Sequence, residues 1–141
     1  MGIAPVQGLE RDAGDEDSAW LGDFVTGDLL ALITTVDANG MIHTRQVPNT
    51  NPEFHGELWF LSAFGLPLLD EVRVHPDVLV TYADSGSGRY VVLNGVADVV
   101  RDPARLQAIW RPALASWFPG GPDDTALALI RVRIESADLW E

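Results

Sequence analysis

The residue types that carry most enzyme chemistry are thinly supplied in this chain. It has three histidines, no cysteine, and nine basic residues that are all arginine, so lysine is absent. Without lysine there is no Schiff-base chemistry, no lysine general base and no Walker lysine. Without cysteine there are no disulfides, thiolate metal sites or thiol nucleophiles. His43, His55 and His75 fall in neither a His-x-x-x-His nor a His-Glu-x-x-His pattern, so no metal site is expected. Asp123-Asp124 sits in a Pro/Gly loop and reads as a solvated turn rather than a cation site. Ser62, Ser85, Ser87 and Ser116 lack the Gly-x-Ser-x-Gly elbow of a nucleophile. Ser85-Gly-Ser-Gly-Arg89 lacks the Gly-Lys-Ser/Thr of a phosphate loop and leads into a strand, which makes it a hairpin loop. Trp110 and Trp117 are seven residues apart, a spacing that favours a helical core stripe over a cofactor clamp. Arg45 is different: an arginine in mid-strand beside His43 and Thr44 demands an anionic partner, a carboxylate or a ligand phosphate.

These residues must be positioned by a single domain, since the chain has 141 residues, 47% of them hydrophobic and 21% charged. The formal net charge of −12 and pI near 4.4 repel phosphate backbones and anionic headgroups, so neither nucleic acid nor a membrane surface is an expected partner. No apolar run is long enough to span a bilayer, and the acidic N-terminus lacks the layout of a signal peptide, which leaves the cytoplasm as the expected location.

Residues 1–17 read as a flexible acidic leader and 18–141 as one folded domain. Ser18 is placed to cap a short helix with Trp20, Leu21, Phe24 and Val25 on one side, stopped by Gly27. Leu29–Val36 reads as a buried strand, Asn39-Gly40 as a type I′ hairpin turn, and Met41–Val47 as the returning strand. On it Met41, His43, Arg45 and Val47 share one face, and Ile42, Thr44 and Gln46 the other. Strands are also expected at Leu58–Leu61, Val78–Tyr82, Arg89–Val100 and Leu127–Ile134, with a bulge or close approach at Gly95. Pro67 opens a short helix that His75-Pro76 ends. Asp102-Pro103 starts another, which Pro112 bends or interrupts. About six strands with short helices at their joints predict a mainly β fold, a compact antiparallel barrel.

The order of motifs, Asp37-Ala-Asn-Gly-Met-Ile-His-Thr-Arg45, Leu58-Trp-Phe-Leu-Ser62, Asn94-Gly-Val-Ala-Asp98 and Trp110-Arg-Pro112 through Trp117-Phe-Pro-Gly-Gly-Pro-Asp-Asp124 with Leu129-Ile-Arg-Val132 and Trp140, resembles the general stress protein 26 branch of the pyridoxamine 5′-phosphate oxidase-like, FMN-binding split-barrel proteins. The resemblance implies a six-stranded split β-barrel acting as a homodimer, with FMN, or FAD in its place, in clefts at the subunit interface. It implies that Arg45 contacts the phosphate or flavin edge, with Thr44 and Val47 lining the same segment. Leu61 and Ser62 then match a strand pair whose hydroxyl helps hold the phosphate. Tyr90 lies near the isoalloxazine ring, and Trp110 and Trp117 border the cleft from the partner. Where relatives commonly read Asp-Ser-x-Lys-Val, this chain has Gly65-Leu-Pro-Leu68-Leu69, so Leu68 stands where a lysine pairs with the phosphate. Arg45 and Arg89 are candidate substitutes. The resemblance implies a flavin-dependent oxidoreductase; Leu66 and Leu68, in place of the serine and lysine, motivate the alternative, a non-enzymatic dimeric binding module whose flavin site is degenerate.

Overall fold

Along residues 5–9, 19–26 and 30–140, which the computed structural model describes, seven strands alternate with three short α-helices. The strands are β1 (Pro5–Leu9), β2 (Leu30–Val36), β3 (Ile42–Val47), β4 (Glu57–Ala63), β5 (Asp77–Asp84), β6 (Arg89–Val100) and β7 (Leu127–Trp140). The helices are α1 (Ala19–Val25), α2 (Pro67–Val74) and α3 (Pro103–Ile109). Every strand pair is antiparallel, in the order β1-β7-β6-β5-β2-β3 with β4 also on β7. The length of β7 makes this possible: its first half pairs β4 and its last residues pair β1, while β6 runs along its other edge. Strands β2 to β7 are the six of the expected mainly β split barrel.

Local sequence accounts for most boundaries, and three places are decided by the assembled chain. The β2–β3 turn is not type I′, because Gly40 alone takes positive φ, at 82°. Asp37 O accepts from Gly40 N, and the Asp37 carboxylate accepts from the backbone N–H of Asn39 and Met41. That aspartate clamp stabilises a turn followed by a glycine bulge, so Asn39 need not enter the left-handed region. Secondly, Pro112 interrupts rather than bends its helix: α3 stops at Ile109 and a separate 3-10 turn spans Pro112–Ser116, as a missing N–H and a ring clash require. Thirdly, Pro5–Leu9 falls in the expected flexible leader yet forms β1 on β7, since strand addition needs backbone groups and no apolar stripe. The rest of that leader, with the Ser18 cap and the Gly27 stop, lies outside the described residues.

The other local signals hold. Pro67 opens α2 and Asp102 caps α3 by accepting from Arg105 N at 3.1 Å. At Gly95 the β6–β7 register shifts, and an added Cβ would lie 2.6 Å from Val132 Cγ1 and 2.7 Å from Arg133 O.

Alternation then sorts the side chains. Ala31, Ile33, Phe60, Val80, Leu93, Ile130 and Val132 point into the barrel and meet Leu21, Phe24 and Val25 of α1 and Leu68, Leu69 and Val72 of α2. Each such side chain contributes about 1.5–3 kcal/mol when fully buried. On the opposite face of β4 and β7, Leu61, Leu127 and Leu129 form a second cluster under Leu106 of α3 and Leu114 of the 3-10 turn. Among the described residues nothing comparable covers the outer face of β2 and β3, where Leu30 is 47% and Ile42 69% exposed.

Candidate functional site

Period two places Arg45 on the barrel side of β3, opposite Ile33 of β2. The anion that its position demands comes from α2. Arg45 Nη1 donates to Glu71 Oε1 at 2.6 Å and Nη2 to Oε2 at 2.8 Å, a two-pronged pair. Thr35, fully buried on β2, donates its Oγ1 hydrogen to the same Oε1 at 2.6 Å. The pair lowers the Glu71 carboxyl from its ordinary value, with Arg45 the main cause and Thr35 assisting, against the upward push of burial. Arg45 is raised in turn by Glu71. Beside them His43 Nε2 lies 2.9 Å from Asp37 Oδ2, a contact that, with the turn N–H groups, lowers Asp37. The Glu71 side of the pair opens on a cleft of about 300 Å³ lined also by Asp37, Asn39, Pro67 and Asp70.

Two members of this arrangement, Glu71 and Thr35, were not singled out from sequence. The legible signal is on α2: Leu68, Leu69 and Val72 make its buried stripe, and Glu71 stands among them three residues after Leu68. A carboxylate on an apolar stripe requires a partner.

The residues expected at a flavin site divide among four places. Arg45 and Val47 share the inner face of β3, with Val47 buried in the main core. Ser62 faces the interior from β4, and its Oγ is the one buried side-chain polar atom without a partner among the described residues. Leu68 is buried in the main core, so its side chain is not turned toward an anion site. Thr44 is on the outer face, paired with Thr34 Oγ1 at 2.8 Å. Tyr90 is also outward, stacked on Trp140 with centroids 6.0 Å apart and planes at 6°. Leu61 and Trp110 belong to the second cluster, while Trp117 is 44% exposed. Arg89 stacks over Phe24 at 5.5 Å and reaches Ser87. Two clefts flank α3, one of about 500 Å³ containing Trp59 and Arg105 and one of about 180 Å³ beside Asp123 and Asp124. Neither these nor the Glu71 cleft is lined by Arg45 or Ser62. Among the described residues no group of three or more His, Cys, Asp or Glu is placed to hold a metal.

Toward FMN, the interior therefore offers an orphaned hydroxyl at Ser62, a neutralised arginine at Arg45 and a leucine at position 68. What Ser62 lacks is one neutral hydrogen-bond partner. A phosphate dianion does not fit these groups, because the cation it requires is already paired.

Residues 16–141 match the family described as pyridoxamine 5′-phosphate oxidase like. Protein bli-3 of Neurospora crassa is 24% identical over 127 residues, covering 83% of this chain and 61% of that protein, so the chain spans about three fifths of the curated relative. The general stress protein 26 of Bacillus anthracis superposes with a TM-score of 0.72 at 17% identity, over 82% of this chain and 86% of the other. A structure described as the general stress FMN/FAD binding protein of Xanthomonas citri gives 0.66 at 24%, over 80% of each.

Proposed function

Because this chain belongs to the pyridoxamine 5′-phosphate oxidase-like family, we propose that it is a homodimeric split-barrel protein that binds a flavin, FMN or FAD, at its subunit interface and uses it in oxidoreduction. The observation that carries this reading is Ser62, whose hydroxyl is buried without a partner. It stands at the strand position to which the family resemblance assigns a hydroxyl of the flavin site. A buried unsatisfied hydroxyl costs about 1–3 kcal/mol, and a bound ligand is one of the few things that justify it. Support for the dimer comes from the outer sheet, uncovered among the described residues, where Leu30 and Ile42 lie exposed near half-buried Leu32, Val36 and Leu79. A second copy is the natural cover for an apolar β-face.

When bound, a flavin supplies hydride and electron transfer itself, leaving the protein to position it, exclude water and set the local field. The lack of a recognisable acid–base constellation in the sequence suits that division of labour. In this chain Ser62 offers a hydroxyl from within the barrel, Val47 lies on the inner face of β3, and Arg45 is held by Glu71. No described helix is long and apolar enough to cross a membrane, and a cytoplasmic location is part of this proposal.

The Arg45–Glu71 pair and the buried Leu68 favour one competing reading, a dimeric module whose flavin site is degenerate. Absorbance of the purified protein and fluorescence titration with FMN and FAD separate the two. A flavin band, or a micromolar dissociation constant, is expected. A colourless dimer that binds neither flavin would replace the first reading by the second, and a monomer on sedimentation would overturn the dimer in both.

A further inference from the structure

We propose that Glu71 is a built-in anion that denies Arg45 to a ligand phosphate, so that the flavin site recognises the uncharged parts of its ligand and does not distinguish FMN from riboflavin. The inference rests on the flavin reading above. Its first support is geometric. A planar guanidinium offers parallel N–H groups to a phosphate or a carboxylate, and both terminal nitrogens of Arg45 already serve the two oxygens of Glu71.

The second support is that Glu71 is anchored apart from Arg45. Thr35 donates to it from β2, and α2 is fastened to the core by Leu68, Leu69 and Val72. Turning Arg45 toward another anion would leave a carboxylate with Thr35 as its remaining described donor, in a place shared with Asp37 and Asp70. That loss offsets what the phosphate would gain. The third support is that position 68 supplies no cation. Position 68, where a lysine would be expected to assist, holds a buried leucine, and the sequence contains no lysine to replace it. Arg89 is engaged elsewhere, over Phe24.

The test compares FMN with riboflavin by quenching of flavin fluorescence, in the wild-type protein and in Glu71→Gln. Gln keeps an oxygen for Thr35 and Arg45 but carries no charge. In the wild type the two dissociation constants are expected to agree within about threefold, whereas a recognised phosphate would make FMN tighter by about tenfold or more. That tenfold preference in the wild type overturns the inference and needs no variant to fold. Glu71→Gln is expected to gain about a tenfold preference for FMN, and Arg45→Met in the same background to abolish it. An unchanged ratio in a folded Glu71→Gln protein also overturns the inference.

Inorganic phosphate, added at constant ionic strength in a thermal melt, gives an arm that is independent of flavin. It should raise the Tm of Glu71→Gln and leave the wild type and the Arg45→Met/Glu71→Gln protein unmoved. If no flavin binds any of the three, the flavin reading fails and this arm decides the role of Glu71. A phosphate-dependent rise in Glu71→Gln alone then supports the blocking role, and its absence refutes it.

Discussion

Replacing Arg45 by alanine tests the interaction at the centre of this structure. The change removes two charge-assisted hydrogen bonds, at 2.6 and 2.8 Å, and leaves Glu71 with Thr35 as its remaining described donor. Breaking a fully enclosed ion pair from one side costs about 3–5 kcal/mol. Here Glu71 borders an open cleft and the arginine side chain is 29% exposed. Water therefore reaches the orphaned carboxylate, and the expected loss falls to about 2 kcal/mol, a drop of roughly 4–8 °C in Tm for a domain of this size.

The loss should also depend on pH. Glu71 is lowered from its ordinary 4.5 in the folded protein, so its stabilisation is complete above that value and disappears as the pH falls through the lower folded-state value. The deficit of Arg45→Ala, measured by urea denaturation, should therefore be full at pH 7 and narrow as the pH falls below 4.5. Arg45→Met combined with Glu71→Leu, which removes both charges, should recover most of it. A deficit at pH 7 under about 0.5 kcal/mol, the scale of an exposed pair, or one that stays constant down to the acid limit of folding, would refute the assignment.

Other consequences follow from single positions. Leu66 is the N-cap of α2, with extended φ and ψ of −82° and 140° and no side-chain bond to the helix; Leu66→Ser should raise stability by about 1 kcal/mol, visible as a higher Tm. Gly95→Ala would press a Cβ into Val132 and the Arg133 carbonyl; a loss of about 1–3 kcal/mol in denaturant titration is expected. Leu68→Lys introduces the lysine that the family resemblance implies at this position but puts a charge into the main core; it should destabilise by about 2 kcal/mol or more, and a Tm at or above that of the wild type would show that the side chain escapes to solvent. Asp102→Ala removes the cap on α3 and should cost about 1 kcal/mol, measured by the same titration.

Much of this fold was readable locally. The six barrel strands, Pro67 and Asp102-Pro103 as helix starts, and the tight approach at Gly95 are consequences of backbone chemistry within a few residues, as is the alternation that separates Arg45 from Thr44. The exceptions are local competitions whose winner needs coordinates: the Asp37 carboxylate over a type I′ turn, and Pro112 as a break rather than a bend. The site was legible in part. Sequence showed that Arg45 needs an anion, that lysine is absent and that position 68 is a leucine.

Which anion Arg45 meets was beyond its reach, because Glu71 lies 26 residues away and arrives only when α2 packs beside β2. Nor could period two alone say that Leu61 turns under α3 while Ser62 turns inward without a partner, or that Pro5–Leu9 finds the far end of β7. Propensity and turn chemistry act over three or four residues in sequence and are written there. Ion pairing and burial are set by which surfaces the assembled sheet brings together, and those exist only in the folded chain.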